Sequence, residues 1–89
     1  MSPADEVARG GEAKRLLDSR VFQDAIERIK GEAVNQLGKS PIVGSEATTH
    51  QQQLIMLLQV TNKFVKLIQE VVDTGKLASK QINQRGINR

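Results

Sequence analysis

The sequence predicts an all-α protein: an antiparallel helical hairpin with a short N-terminal helix and a basic C-terminal tail, completing a helical bundle by oligomerisation or partner docking. Three observations lead there. Apolar residues recur at spacings of three and four over two long stretches, the first from Phe22 to Leu37 and the second from Leu54 to Val72. No run shows the period of two that a half-buried strand needs. The second stretch also carries an apolar face too wide for one neighbouring helix to cover.

The elements follow in order. Ser2-Pro3 reads as an N-cap with Pro at the first helical position, and Asp5 and Glu6 sit where the helix dipole favours negative charge. Gly10-Gly11 follows at once, and each Gly costs about 1 kcal/mol in a helix interior. Val7, Ala8, Leu16 and Leu17 make no clean stripe, so residues 1–18 predict a weak N-terminal helix. Asp18-Ser19 offers a second N-cap. Over 19–38, Phe22, Ala25, Ile26, Ile29, Ala33 and Leu37 line one face of a helix, while Arg20, Asp24, Arg28 and Glu32 alternate in sign on the other. Gly38 stands where a left-handed closing residue is wanted, and Lys39-Ser40-Pro41 ends the helix. Residues 39–45 form the connector.

Ser45 caps the next helix and Glu46 occupies its first turn. At 100° per residue, the apolar positions from Leu54 to Val72 fill an arc of roughly 200°, about twice what a surface helix needs. Only Ile55 falls outside it. Leu54, Leu57, Thr61, Phe64, Ile68 and Val71 form a seam for near-parallel packing. Phe64 is expected to be buried against the first long helix, with Ile29 and Phe22 among its neighbours. Met56, Val60 and Leu67 lie on one flank of the arc, and Leu58, Val65 and Val72 on the other. One partner helix leaves a flank open, so these six residues are the candidate partner interface. The alternative is that residues 5–17 or 76–85 fold back over it. The helix runs over 46–74, with Gly75 as its C-cap, and 75–89 is the basic tail.

Composition bounds the function. A chain of 89 residues makes one small domain of marginal stability. Without cysteine there is neither a disulfide nor a thiolate for catalysis or metal. No apolar run approaches a membrane span, and the acidic N-terminus lacks a signal core, which predicts a protein of the cytoplasm. The net charge of +3 is unevenly placed: residues 1–73 carry nine basic and ten acidic side chains, whereas Lys76, Lys80, Arg85 and Arg89 meet no acid.

Chemistry finds no constellation. His50 is the single histidine, with Glu46 four residues earlier and Gln51-Gln52-Gln53 after it, and it reads as a surface residue. The carboxylates lie mostly near Lys or Arg along helix faces. Gly10-Gly11 is no phosphate loop, because neither a preceding strand nor a following Gly-Lys-Ser/Thr is present. No enzyme, cofactor or metal is predicted. Lys76, Lys80, Arg85 and Arg89 are the candidate nucleic-acid contacts, although no aromatic residue is interleaved for base stacking.

The stretch from Arg15 to Ala25, RLLDSRVFQDA, and the ending from Val71 to Ala78, VVDTGKLA, resemble small helical proteins of tailed bacteriophages encoded near head and packaging genes. Gln51-Gln52-Gln53 and the basic tail lie outside that resemblance, and it carries over no functional residue. It implies a virion-assembly or virion-structural interaction module in a bacterial host's cytoplasm or in the virion. The expected partner is a second copy or a larger phage assembly. A packaging accessory that holds nucleic acid by the tail is the alternative, and a small inhibitor of a host protein a third.

Overall fold

The structure is a computed structural model. It describes residues 2–39 and 45–87, with side-chain environments at 2–39 and 49–84. Among these the fold is all-α, with three helices and no strand: α1 (Pro3–Asp18), α2 (Arg20–Lys39) and α3 (Ser45–Ile87).

α1 begins as the sequence predicts. The Ser2 hydroxyl oxygen accepts the Asp5 backbone N–H at 3.2 Å, and the Asp5 carboxylate accepts the Ser2 N–H at 3.4 Å. This reciprocal pair satisfies donors that a helix start leaves free. Pro3 follows at the first helical position. The N-terminal helix expected over 1–18 runs from Pro3 through Gly10-Gly11 to Asp18. Ser19, in extended conformation, closes it, with its N–H donated to the Leu16 carbonyl at 3.1 Å. α2 starts at the next residue.

α2 turns Phe22, Ile26, Ala33 and Leu37 inward, whereas Ala25 and Ile29 of the expected stripe are exposed. Arg28 and Glu32 form an exposed ion pair at 3.3 Å, the i, i+4 contact their spacing predicts. Gly38 lies within the helix and has no left-handed backbone, so it is not the expected closing residue. The connector at 40–44 lies outside the described residues, as do Met1 and Arg89.

α3 is 43 residues long. It passes through Gly75, which is therefore not the expected cap, and the helix continues through the basic segment as far as Ile87. From Leu54 to Gly75 its covered positions are Leu54, Leu58, Thr61, Val65, Ile68, Val72 and Gly75, spaced four and three. The expected seam shared Leu54, Thr61 and Ile68 but placed Leu57, Phe64 and Val71 inward. In each case the next residue is the one covered. A 200° arc contains both seams, and periodicity alone does not choose between them.

Contacts divide the chain into two compact units, Arg20–Phe64 and Met1–Ser19 with Val65–Arg89, so α3 contributes to both. In the first, Ala33 and Leu54 are buried. Phe22 and Phe64 meet with ring centroids 6.1 Å apart at 48°. Phe64 nevertheless stays 49% exposed, so it is not the buried anchor expected of it. Thr61 is buried, and its hydroxyl donates to the Leu57 carbonyl at 2.7 Å, which leaves no unmet donor in the seam.

In the second unit the contact is backbone against backbone. A Cβ on Gly10 would stand 2.9 Å from the Gly75 Cα, and a Cβ on Gly75 would stand 3.0 Å from the Glu6 carbonyl oxygen. Only glycine at both positions allows that approach. Close approach gives the main chains dispersion contacts that side chains elsewhere supply. Val72 and Ala78 are buried in the same unit.

Candidate interaction surface

The six residues of the candidate interface divide cleanly. Val72 is buried at 5% exposure, and Leu58 and Val65 are half-buried within the covered seam of α3. That flank is therefore closed within the chain. Met56, Val60 and Leu67 are open, at 63%, 59% and 47% exposure. The remaining inward seam residues of the sequence reading, Leu57, Phe64 and Val71, are exposed beside them.

The open residues form a regular pattern along α3. Leu57, Val60, Phe64, Leu67, Val71 and Thr74 recur at three and four, the spacing of a coiled-coil seam. All six are exposed. Met56, Lys63, Glu70 and Leu77 recur every seven residues along one edge of that stripe, and they too are exposed. Helix geometry places these ten on adjoining rows. The wide arc carries the signal, but Leu57, Phe64 and Val71, expected inward, are exposed.

In the unit that contains α1, Leu67, Glu70, Val71 and Thr74 line one wall of an open groove, and Glu6 and Arg9 line the other. Leu67 and Val71 give the groove apolar surface, and Glu6, Arg9 and Glu70 give it charge. Arg9, Glu12, Ala13, Leu16, Ile68 and Val71 line a second opening in the same unit. Glycines at the α1–α3 crossing keep the two backbones together there.

The basic candidates are partly brought together. Lys76 and Lys80 are both exposed, one turn apart on α3. Lys14 of α1, which the sequence reading did not single out, lines a shallow groove with Lys76, Gly10 and Gly75. Arg85 lies in the last turns of α3, with its side chain outside the described residues, and Arg89 lies beyond them. His50 is exposed. Among the described residues, no group of three or more His, Cys, Asp or Glu could hold a metal ion, and no helix is long and apolar enough to cross a membrane. Compared with known protein families, curated proteins and solved structures, the chain matches none.

Proposed function

We propose that the chain is a non-enzymatic interaction module that works by helix packing, as a phage virion-assembly or virion-structural subunit. The observation that carries this reading is the open apolar stripe of α3 at Met56, Val60 and Leu67. Scattered apolar residues on a surface need no explanation, but a stripe repeating at three and four is a docking face for another helix. The phage assignment rests on the resemblance of residues 15–25 and 71–78. In this reading α2 and the first half of α3 form an antiparallel hairpin, supported by the Phe22–Phe64 contact between residues 42 apart in sequence. Oligomerisation or docking completes the bundle.

The test is co-sedimentation with heads or head precursors from infected cells. The wild-type chain should travel with them in a fixed ratio, and Val60→Lys and Leu67→Lys should be lost from the particles while keeping their helix content. Free wild-type chain in every fraction would defeat the assembly role.

A second reading has its own support. Lys14, Lys76 and Lys80 offer three cations, the first two on one groove. They suit phosphate contact without base readout, as in a packaging accessory. Duplex DNA binding that falls steeply between low and moderate salt, and is weakened by Lys76→Gln and Lys80→Gln, would favour it. Salt-insensitive or absent binding removes it.

A further inference from the structure

We infer that the occupant of the open α3 stripe is α3 of a second copy of this chain, running antiparallel about a two-fold axis. The inference rests on the interaction reading above and names its partner. It comes from matching the stripe against itself.

A helix pair needs apolar residues facing apolar residues, and rim charges facing their opposites. One antiparallel register satisfies both on this sequence. When Phe64 of one copy lies across from Leu67 of the other, Val60 lies across from Val71, and Leu57 across from Thr74. Antiparallel seams bring like edges together, so the edge row Met56, Lys63, Glu70 and Leu77 then meets its own counterpart. In that register Lys63 faces Glu70 of the second copy, and Met56 faces Leu77. The two-fold repeats each pairing, which gives two Lys–Glu contacts and two apolar edge contacts. Sliding one helix by a heptad puts Lys63 opposite Lys63 or Glu70 opposite Glu70. The charge pattern therefore selects this register from those the apolar pattern permits.

The groups required are available. Met56, Val60, Leu67 and Leu77 are each exposed by about half or more, and Lys63 and Glu70 are exposed. Neither Lys63 nor Glu70 forms an ion pair among the described residues, whereas nearby Asp73 is held by Gln69 at 3.1 Å. The apolar side chains of the stripe and its edge, Met56, Leu57, Val60, Phe64, Leu67, Val71 and Leu77, are all exposed and adjoin one another, the mark of an interface. A second copy brings the same apolar row and, in this register, the opposite rim charge to each of Lys63 and Glu70. The opposite edge of the stripe, including Thr61 and Ile68, is covered within the chain, so only one such partner fits.

The register gives a test that a general stickiness does not pass. Lys63→Glu makes the edge acidic at both positions, and Glu70→Lys makes it basic at both. Each variant alone then repels its own copy, but a mixed pair restores both attractions. By sedimentation equilibrium at low salt, the wild-type chain should dimerise. Each variant alone should dimerise about fivefold more weakly, and their equimolar mixture should recover the wild-type strength. In molar salt the differences should shrink. Val60→Lys should abolish the dimer with helix content unchanged. A wild-type chain that stays monomeric at several hundred micromolar overturns the second copy as occupant, while the assembly reading stands or falls by its particle test. A dimer indifferent to both charge changes, or not restored by mixing, overturns the antiparallel register.

Discussion

The two ends of α3 are held by opposite means. In the unit Arg20–Phe64, side chains fill the space: Phe22 tilts against Phe64, and Leu54 and Ala33 are buried. In the unit that contains α1, side chains are removed from the contact: Gly10 and Gly75 bring two backbones together, with Ala78 buried nearby. Side-chain packing tolerates change because rotamers adjust. Backbone packing has no such freedom, because an added Cβ meets another main chain. The same residue type that weakens a helix by propensity therefore holds one of these contacts together.

The largest expected effect strikes the glycine crossing. Gly75→Leu places a branched side chain where a Cβ alone already stands 2.9 Å from the Gly10 Cα. α1 must leave its seat, at a cost of about 3 kcal/mol or more, beyond the usual range for overpacking a core. Chemical denaturation should show a large loss of stability, and protease should cut α1 in the folded protein. Gly75→Ala should destabilise by about 1–2 kcal/mol, because the clash outweighs the helix propensity gained. An alanine variant as stable as wild type would mean that the helices separate at no cost.

The aromatic contact should be more forgiving. Burial of Phe64 would predict a loss of about 3–5 kcal/mol on truncation to Ala. At 49% exposure the expected loss falls to about 2 kcal/mol. A double-mutant cycle of Phe22→Ala and Phe64→Ala should give a coupling of about 0.5–1.5 kcal/mol. Additive losses would show that the rings touch without supporting each other.

These contrasts also mark what was legible in the sequence. Ser2, Pro3 and Asp5 announce α1, because capping is local chemistry and depends on a few adjacent residues. Phe22, Ile26, Ala33 and Leu37 announce the inner face of α2 because its stripe is narrower than that of α3, although Ala25 and Ile29 of the expected stripe are exposed. α3 was harder for the opposite reason. Its arc holds two seams that share Leu54, Thr61 and Ile68, and the expected one carries Leu57, Phe64 and Val71 where the covered one carries Leu58, Val65 and Val72. Half of the candidate interface was thereby placed on the closed side. Gly10 and Gly75 read as a helix breaker and a cap because propensity is a property of the residue alone. Their true role needs a partner 65 positions away, which no local pattern records.

A smaller effect separates local from tertiary support at the start of α1. Ser2→Ala removes the acceptor for the Asp5 N–H and breaks the reciprocal cap. The loss should be about 1 kcal/mol. Amide exchange should speed up in the first turn of α1 and leave α2 unchanged. Equal acceleration in both would mean that the two units unfold together and that the comparison between them has no energetic content.

The last prediction sets Gly10 against its own neighbour. Gly11 is exposed, and a Cβ there meets nothing within 4 Å; the same holds for Gly31 in the middle of α2. Neither has a left-handed backbone. Alanine at either position adds no clash, and it restricts the unfolded chain and raises helix propensity. Gly11→Ala and Gly31→Ala should each stabilise the protein by about 0.5–1 kcal/mol. Gly10→Ala, one residue earlier, receives the same propensity gain but meets the Gly75 Cα at 2.9 Å and the Val71 carbonyl oxygen at 3.3 Å. Its net effect should have the opposite sign. Thermal denaturation of the three variants beside wild type reads that sign directly. The local terms are alike for Gly10 and Gly11, so a difference between them measures the helix crossing itself. If both substitutions stabilise, the crossing yields by more than its cost, and the unit that contains α1 is held by its side chains after all.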